Sequence, residues 1–272
     1  MLSTKDRIRR AFARAAGTYD LFASAQQKLA DEMVRLLKAW HPGPFDDILE
    51  FGCGTGMYSG RLCAQWPFGS FLFTDIAKPM TDACAKKIAS RFPAVSARFQ
   101  VRDAERLLAG REKKRFDLIT SSATPQWFLN PAGTLNRWRD GLSRGGVLFY
   151  SAASGRTFAE FQRVINLWLE NRGRKPVHLP ASRFLAEAVP AGFDISGFRN
   201  VRTTEFLIRE DHRSLLEMLK PIQKTGEYGD GLPKGTLSAP RDIRELEALF
   251  RNEYGAVIAT RHFFIFYGEN KR

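Results

Sequence analysis

The chain of 272 residues has only three cysteines, Cys53, Cys63 and Cys84, and no C-x-x-C pair. So sparse and odd a set excludes a disulfide framework and fits a reducing cytoplasm, the expected location. Histidine is equally scarce. His41, His178, His212 and His262 lie far apart without metal-ligand spacing, so no metal site is expected. No run of 18 apolar residues occurs, which excludes an apolar membrane-spanning helix. The opening Met1-Leu2-Ser3-Thr4-Lys5-Asp6-Arg7 has charge but no apolar stretch behind it, unlike a secretory signal. Internal repeats and low-complexity tracts are also missing. Acidic residues are in deficit: 29 Asp and Glu face 42 Lys and Arg, a net charge of +13. A surface of that sign attracts acidic partners, whether nucleic acid, anionic membrane or protein.

What is present is ordinary for a folded domain. Hydrophobic residues make up 44% and charged residues 26%. The length suits one large or two small domains. Two basic clusters stand out. Lys5, Arg7, Arg9, Arg10 and Arg14 are opposed only by Asp6, and Arg163, Arg172, Arg174, Lys175 and Arg183 only by Glu170.

Residues 5–39 show helical spacing, with Ile8, Ala11, Phe12 and Ala15 on one face and Leu29, Met33, Leu36 and Leu37 on another. Gly17 interrupts them, and His41-Pro42-Gly43-Pro44 ends them. Strand-like runs then alternate with helical ones. Strands are predicted at 48–51, 71–75, 97–101, 116–120 and 147–151, with helices at 57–66, 80–90 and 134–142. Such alternation predicts an α/β doubly wound parallel sheet over about residues 45–155. Residues 157–190 read as mostly helical, 198–208 as a strand, 215–222 and 240–252 as helices, and 262–267 as a last strand.

The chemistry-bearing stretch is Glu50-Phe51-Gly52-Cys53-Gly54-Thr55-Gly56, directly after the first strand. Glycines there let the backbone turn tightly and approach a ligand. Nineteen residues past Gly56 the next strand ends in Asp75, whose carboxylate is suited to ribose hydroxyls. The third strand is followed by Asp103-Ala104, where a carboxylate is suited to an adenine amino group. Cys53 has no evident base beside it and reads as a small buried filler. His262 reads as structural.

Three acids at successive strand ends plus the glycine loop resemble the class I S-adenosylmethionine-dependent methyltransferases. The resemblance covers about residues 45–155, and Arg144-Gly145-Gly146-Val147-Leu148 is similar to the family's fifth-strand entry. It implies a Rossmann-like sheet and S-adenosyl-L-methionine as cofactor, released as S-adenosyl-L-homocysteine. Residue by residue, it puts Glu50 near the methionine ammonium and Gly52, Gly54 and Gly56 in the loop facing the cofactor. Asp75 binds ribose, Ile76 flanks adenine, Asp103 binds it, Ala104 lies beside it, and Ser121 lines the cofactor. The implied organisation is an N-terminal helical lid (1–44), the cofactor-binding core (45–155), a mostly helical substrate-side cap (156–235), and a C-terminal helix and strand completing the sheet (236–272).

The flanks are more specific. Arg10 to Asp20, Ala123-Thr124-Pro125-Gln126-Trp127-Phe128, Leu219 to Gly226 and Ala259-Thr260-Arg261-His262-Phe263-Phe264 resemble the malonyl-acyl-carrier-protein O-methyltransferases of biotin synthesis. Pro125 departs from that pattern. The resemblance implies esterification of the free carboxylate of a malonyl thioester on acyl-carrier protein. A carboxylate is already a nucleophile at neutral pH, so no general base is expected. Tyr19 is expected as a lid residue over the methyl group, Gln126 and Trp127 as pocket lining, and Arg156 or Lys224 as the cation docking the spare oxygen. Acyl-carrier protein is a small acidic protein, so the basic face, at the N-terminal helix, the 163–183 stretch or both, becomes its expected docking site. No membrane partner is expected. Three other readings compete. One is a methyltransferase of a small free carboxylic acid, aconitate-like, whose enzymes also carry a Gln-Trp pair. Another is an RNA methyltransferase, against which no RNA-binding module appears. The third is a degenerate scaffold, against which the intact acids and glycines speak.

Overall fold

The computed structural model describes residues 3–108, 115–178, 185–226 and 239–272. Three helices come first: α1 (Thr4–Ala15), α2 (Tyr19–Phe22) and α3 (Ser24–Trp40). Alternation follows with β1 (Asp47–Phe51), α4 (Met57–Gln65), β2 (Ser70–Asp75), α5 (Lys78–Arg91), β3 (Ser96–Val101) and β4 (Phe116–Ser121). A 3-10 turn at Pro125–Trp127 leads into α6 (Pro131–Asp140) and β5 (Leu142–Ala153). The remainder is α7 (Ala159–Glu170), β6 (Phe198–His212), α8 (Leu215–Thr225), α9 (Pro240–Tyr254) and β7 (Val257–Asn270).

The strands form one seven-stranded sheet in the order β3-β2-β1-β4-β5-β7-β6. The first five run parallel, and β7 runs antiparallel to both of its neighbours. Successive residues of the central strands bury opposite faces, as the two-residue period of a strand requires. Ile48, Leu118, Val147, Phe149 and Ile265 join the core under α3 and α4. Leu49, Ile119, Leu148, Tyr150 and Phe266 join the core under α6. Both faces are covered, so these strands read as apolar runs rather than alternating ones. A further core holds α7, α8 and α9 together through Phe161, Trp168, Met218, Leu246 and Phe250.

The α/β core follows the sequence expectation, and so do the later strands and helices at 198–212, 215–225, 240–254 and 257–270; the helix expected over 157–190 is shorter. Helix in 157–190 stops at Glu170, and residues 174–178 are irregular around Pro176. Within the segment expected as a cap, the strand expected at 198–208 runs from Phe198 to His212 and joins the main sheet. β6 pairs with β7 from Phe198–Asn270 to His212–Val257, so it is an edge strand. Its exposed Arg199, Arg202 and Arg209 suit an edge that has to refuse further pairing. The last strand lies inside the sheet, between β5 and β6. Residues 179–184 and 227–235 of the expected cap, including Arg183, Gly229, Gly231 and Gly235, lie outside the described residues.

Trp138 anchors α6 to the sheet. Its ring stacks on Phe51 at 4.1 Å, meets Phe128 edge-on at 5.4 Å, and its Nε1 donates to the Ala104 carbonyl at 3.3 Å. Trp138→Ala therefore leaves a cavity at the floor of β1 and an unpaired carbonyl. The expected loss of stability is about 3–5 kcal/mol, read by urea unfolding.

Candidate active site

A parallel sheet gathers the carboxyl ends of its strands at one edge, and loops there line a crevice. The turn after β1 opens it. Gly52 has φ +66°, and a Cβ there would lie 2.0 Å from Thr124 Oγ1 in the loop after β4. Only glycine permits both that conformation and that approach. Gly54, at φ +53°, has open space where a side chain would stand. Gly56 heads α4, packed on Cys84, and does not border the crevice.

Two adjoining hollows result. The larger, about 670 Å³, is bordered by Gly52, Gly54, Asp75, Ile76, Met80, Asp103, Ala104 and Trp127. α1 closes it with Lys5, Ile8 and Phe12, whose spacing puts them on one helix face. The smaller, about 390 Å³, runs inward to Glu50, Gln26, Cys53 and Tyr58. Tyr19, Gly52, Gly54, Ser122 and Ala123 belong to both.

Glu50 is 1% exposed, and among the described residues no group stands in hydrogen-bonding geometry to either carboxylate oxygen. Burial first, and then the nearby Cys84 and Asp75, push its pKa well above the usual range, while the Ser59 hydroxyl opposes the shift. An unpaired buried carboxylate is costly in a folded protein and suits a cationic ligand group. Asp75 lies at the end of β2. Its Oδ2 accepts from the Gly54 N–H at 3.0 Å and its Oδ1 from the Ala77 N–H at 2.8 Å. Burial pushes its pKa up to about 6 against those two bonds. Each oxygen keeps a second lone pair for a hydroxyl donor. Asp103 Oδ1 accepts from the Glu105 N–H at 3.0 Å and from Lys5 Nζ at 3.3 Å. The same ammonium is 2.5 Å from Glu105 and 5.4 Å from the Phe128 ring centre. Phe12 meets Trp127 edge-on at 5.5 Å, closing the lid. Asp20, beside Tyr19, is held by Lys87 at 2.6 Å and by the Thr55 hydroxyl.

Several expected site residues stand elsewhere. Ser121 is still within β4 and donates to the Phe51 carbonyl at 2.8 Å, so Ser122, the first residue past the strand, borders the hollow instead. Gln126 is also spent on the backbone. Its amide donates to the Ala123 carbonyl at 2.7 Å and accepts from the Ala153 N–H at 3.3 Å, tying this loop to β5. Arg156 is drawn away by Glu205 at 2.7 Å and lies 2.8 Å from His262 Nε2, in a separate surface cleft with Glu187, Thr203 and Phe264. Lys224 is exposed on the last turn of α8. Neither cation borders the hollows. Cys53 is buried in the loop, and His262 is a buried hub bonded to Ser154 Oγ at 2.6 Å and to Glu205 at 3.0 Å. Sequence reasoning missed Lys5, Met80, Arg102 and Thr124. The amphipathic face of α1 was the available signal for Lys5.

The fold and this site define a nucleotide-type crevice with an acid at each of three strand ends. A methyltransferase domain family model matches residues 49–148, the glycine loop through β5. The fold is shared with a putative methyltransferase from Bacillus halodurans (TM-score 0.54, 14% identity, 88% of this chain and 98% of that one). It is also shared with the N-methyltransferase NodS from Bradyrhizobium japonicum, solved with S-adenosyl-L-homocysteine (TM-score 0.52, 11% identity, 98% and 100%). The chain is thus an S-adenosylmethionine-dependent methyltransferase. Curated relatives narrow the class. Malonyl-[acyl-carrier protein] O-methyltransferase from Magnetococcus marinus is 30% identical over 96% of this chain and 92% of its own length. The enzyme of that name from Paenibacillus is 27% identical over 98% and 99%. The chain belongs to the malonyl-[acyl-carrier protein] O-methyltransferase family.

The residues fit the S-adenosyl group. Glu50 leaves a buried acceptor for an ammonium, Asp75 has spare acceptor sites for a diol, and Ile76 with Met80 gives an apolar wall for a base. The unliganded protein should carry the cost of Glu50. Because its folded pKa is raised, the native state holds a proton that the unfolded chain releases, so the cost is absent at low pH and grows as pH rises. Glu50→Gln removes it. The variant is expected to match wild type near pH 5 and to exceed it by about 1–2 kcal/mol near pH 8 in urea unfolding without cofactor. Taking the difference between the two proteins cancels all other titrations.

Proposed function

We propose that this protein methylates the free carboxylate of a malonyl thioester on acyl-carrier protein, at the start of biotin (pimeloyl) synthesis, in the cytoplasm. The observation that carries this reading is the placement of Tyr19. The N-terminal segment, which full-length relatives share, folds over the crevice and sets Tyr19 on the border of both hollows. When bound, S-adenosylmethionine supplies an electrophilic methyl on its sulfonium. In this reading Glu50 receives the ammonium, Asp75 the ribose hydroxyls and Asp103 the adenine amino group. Ile76, Met80 and Ala104 flank the base. Gly52 and Gly54 keep the loop low enough for the ligand to approach. The Lys5 ammonium has to share or yield Asp103.

The acceptor carboxylate carries no proton at neutral pH, so the chain's task is alignment rather than base catalysis. Holding two reactants in line is worth about 7–11 kcal/mol in favourable cases. The Tyr19 hydroxyl donates to one carboxylate oxygen and leaves the other to attack. Trp127 and Phe12 exclude water from the same end. Arg156 and Lys224 do not border the hollows and do not dock the carboxylate in this reading.

Intact-mass analysis tests this directly. With S-adenosylmethionine present, malonyl-acyl-carrier protein should gain one methyl mass, faster than malonyl-coenzyme A. Methylation of free aconitate alone would replace the carrier by a small acid. Tyr19→Phe should lower kcat about tenfold or more, a loss of one transition-state hydrogen bond to a charged group, while S-adenosylhomocysteine affinity changes little. Binding should also follow Asp75. Its ionised form accepts from both ribose hydroxyls, so affinity for S-adenosylhomocysteine should rise between pH 5 and 7, through about 6, in calorimetric titrations.

A further inference from the structure

We infer that the acyl-carrier protein docks, through an acidic face of its own, on the outer side of the lid, across α1, α2 and α8. The inference rests on the functional reading above and assigns its partner a surface. α1 has two working faces. Lys5, Ile8 and Phe12 line the crevice, whereas Arg10 and Arg14 point to solvent. α8 packs beside it: Gly226, at the end of α8, lies against the Ala11 backbone, and Lys220 Nζ stands 5.5 Å from the Phe22 ring centre of α2. Lys220 and Lys224 are exposed one helical turn apart. The same elements carry two large exposed apolar side chains, Leu21 of α2 at 78% and Leu216 on the first turn of α8 at 62%.

The cations of this face are not held by carboxylates, and Lys220 has the Phe22 ring as its neighbour. Arg10, Arg14, Lys220 and Lys224 make no ion pair among the described residues. The nearby acids are already engaged, Asp6 by Ser3 and Arg9 and Asp20 by Lys87. The second basic stretch is different. Arg163 pairs with Glu253 at 3.1 Å, and Arg172 pairs with Glu245 and lies over the Trp168 ring at 4.1 Å. Those charges hold α7 to α9, and a partner would have to displace Glu253 and Glu245 to use them. Unpaired positive charge on helices that also expose apolar side chains fits an acidic partner with an apolar contact, where charge guides the encounter and apolar contact holds it. The lid location adds a reason. A carrier seated there lies over Tyr19, so its tethered malonyl group reaches the border of the hollows without crossing the sheet.

Charge reversal separates the docking face from the reaction. In the full-length enzyme, R10E/R14E/K220E/K224E should lower kcat/KM for malonyl-acyl-carrier protein about tenfold or more, with S-adenosylhomocysteine affinity unchanged. K220E/K224E, outside the lid, should give a smaller loss in the same direction. K175E, a reversal at the second basic stretch, should leave kcat/KM as in wild type. If wild type methylates the carrier and the quadruple variant keeps its kcat/KM, the docking face is overturned and the functional reading stands. An equal loss in K175E also overturns it, since bulk charge would then be the cause. If wild type leaves the carrier unmethylated, the functional reading falls and takes this proposal with it.

Discussion

The buried carboxylate of Glu50 sets the terms for the rest of the molecule. It stands one residue before the end of the central strand β1, 1% exposed, yet among the described residues no group bonds either oxygen. Keeping a polar group in that state opposes folding, so the surrounding packing has to outweigh it. The two apolar faces of β1, β4 and β5 do so. Phe51 next to it is clamped by Trp138, and Leu49 and Ile48 enter opposite cores. A rigid sheet with a destabilised group at its carboxyl edge is a common arrangement for a ligand site, because binding relieves the cost that folding imposed.

The lid converts that edge into an enclosed space. α1 contributes an ammonium, two apolar side chains and an aromatic contact, and each meets a group from the core: Lys5 with Asp103 and Glu105, Phe12 with Trp127. These contacts are few and partly polar. Inside, the lid presents a pocket wall. Outside, it presents unpaired cations. One short helix therefore links the crevice to the surface proposed to receive the carrier.

Much of this was legible in one sequence. The strand-helix alternation, the glycine loop and the acids at 50, 75 and 103 depend on local pattern, and local pattern survives folding. The limits were also physical. β6 alternates like a strand, but nothing in it says that β7 will be inserted between it and β5. Arg156 looked like a docking cation until Glu205, 49 residues later, took its guanidinium. Ser121 and Gln126 stood at the right positions in the chain, but their side chains were spent on the carbonyls of Phe51 and Ala123.

The sequence by itself determined the class of chemistry, since strand ends, glycine turns and carboxylates are placed by short-range backbone geometry. Tertiary structure alone decided which side chains face the ligand and which charges remain free. Lys5 meets Asp103 across 98 residues, and Arg163 meets Glu253 across 90. Pairings of that range are set by how the layers pack, because a charge takes whichever partner the fold brings within reach.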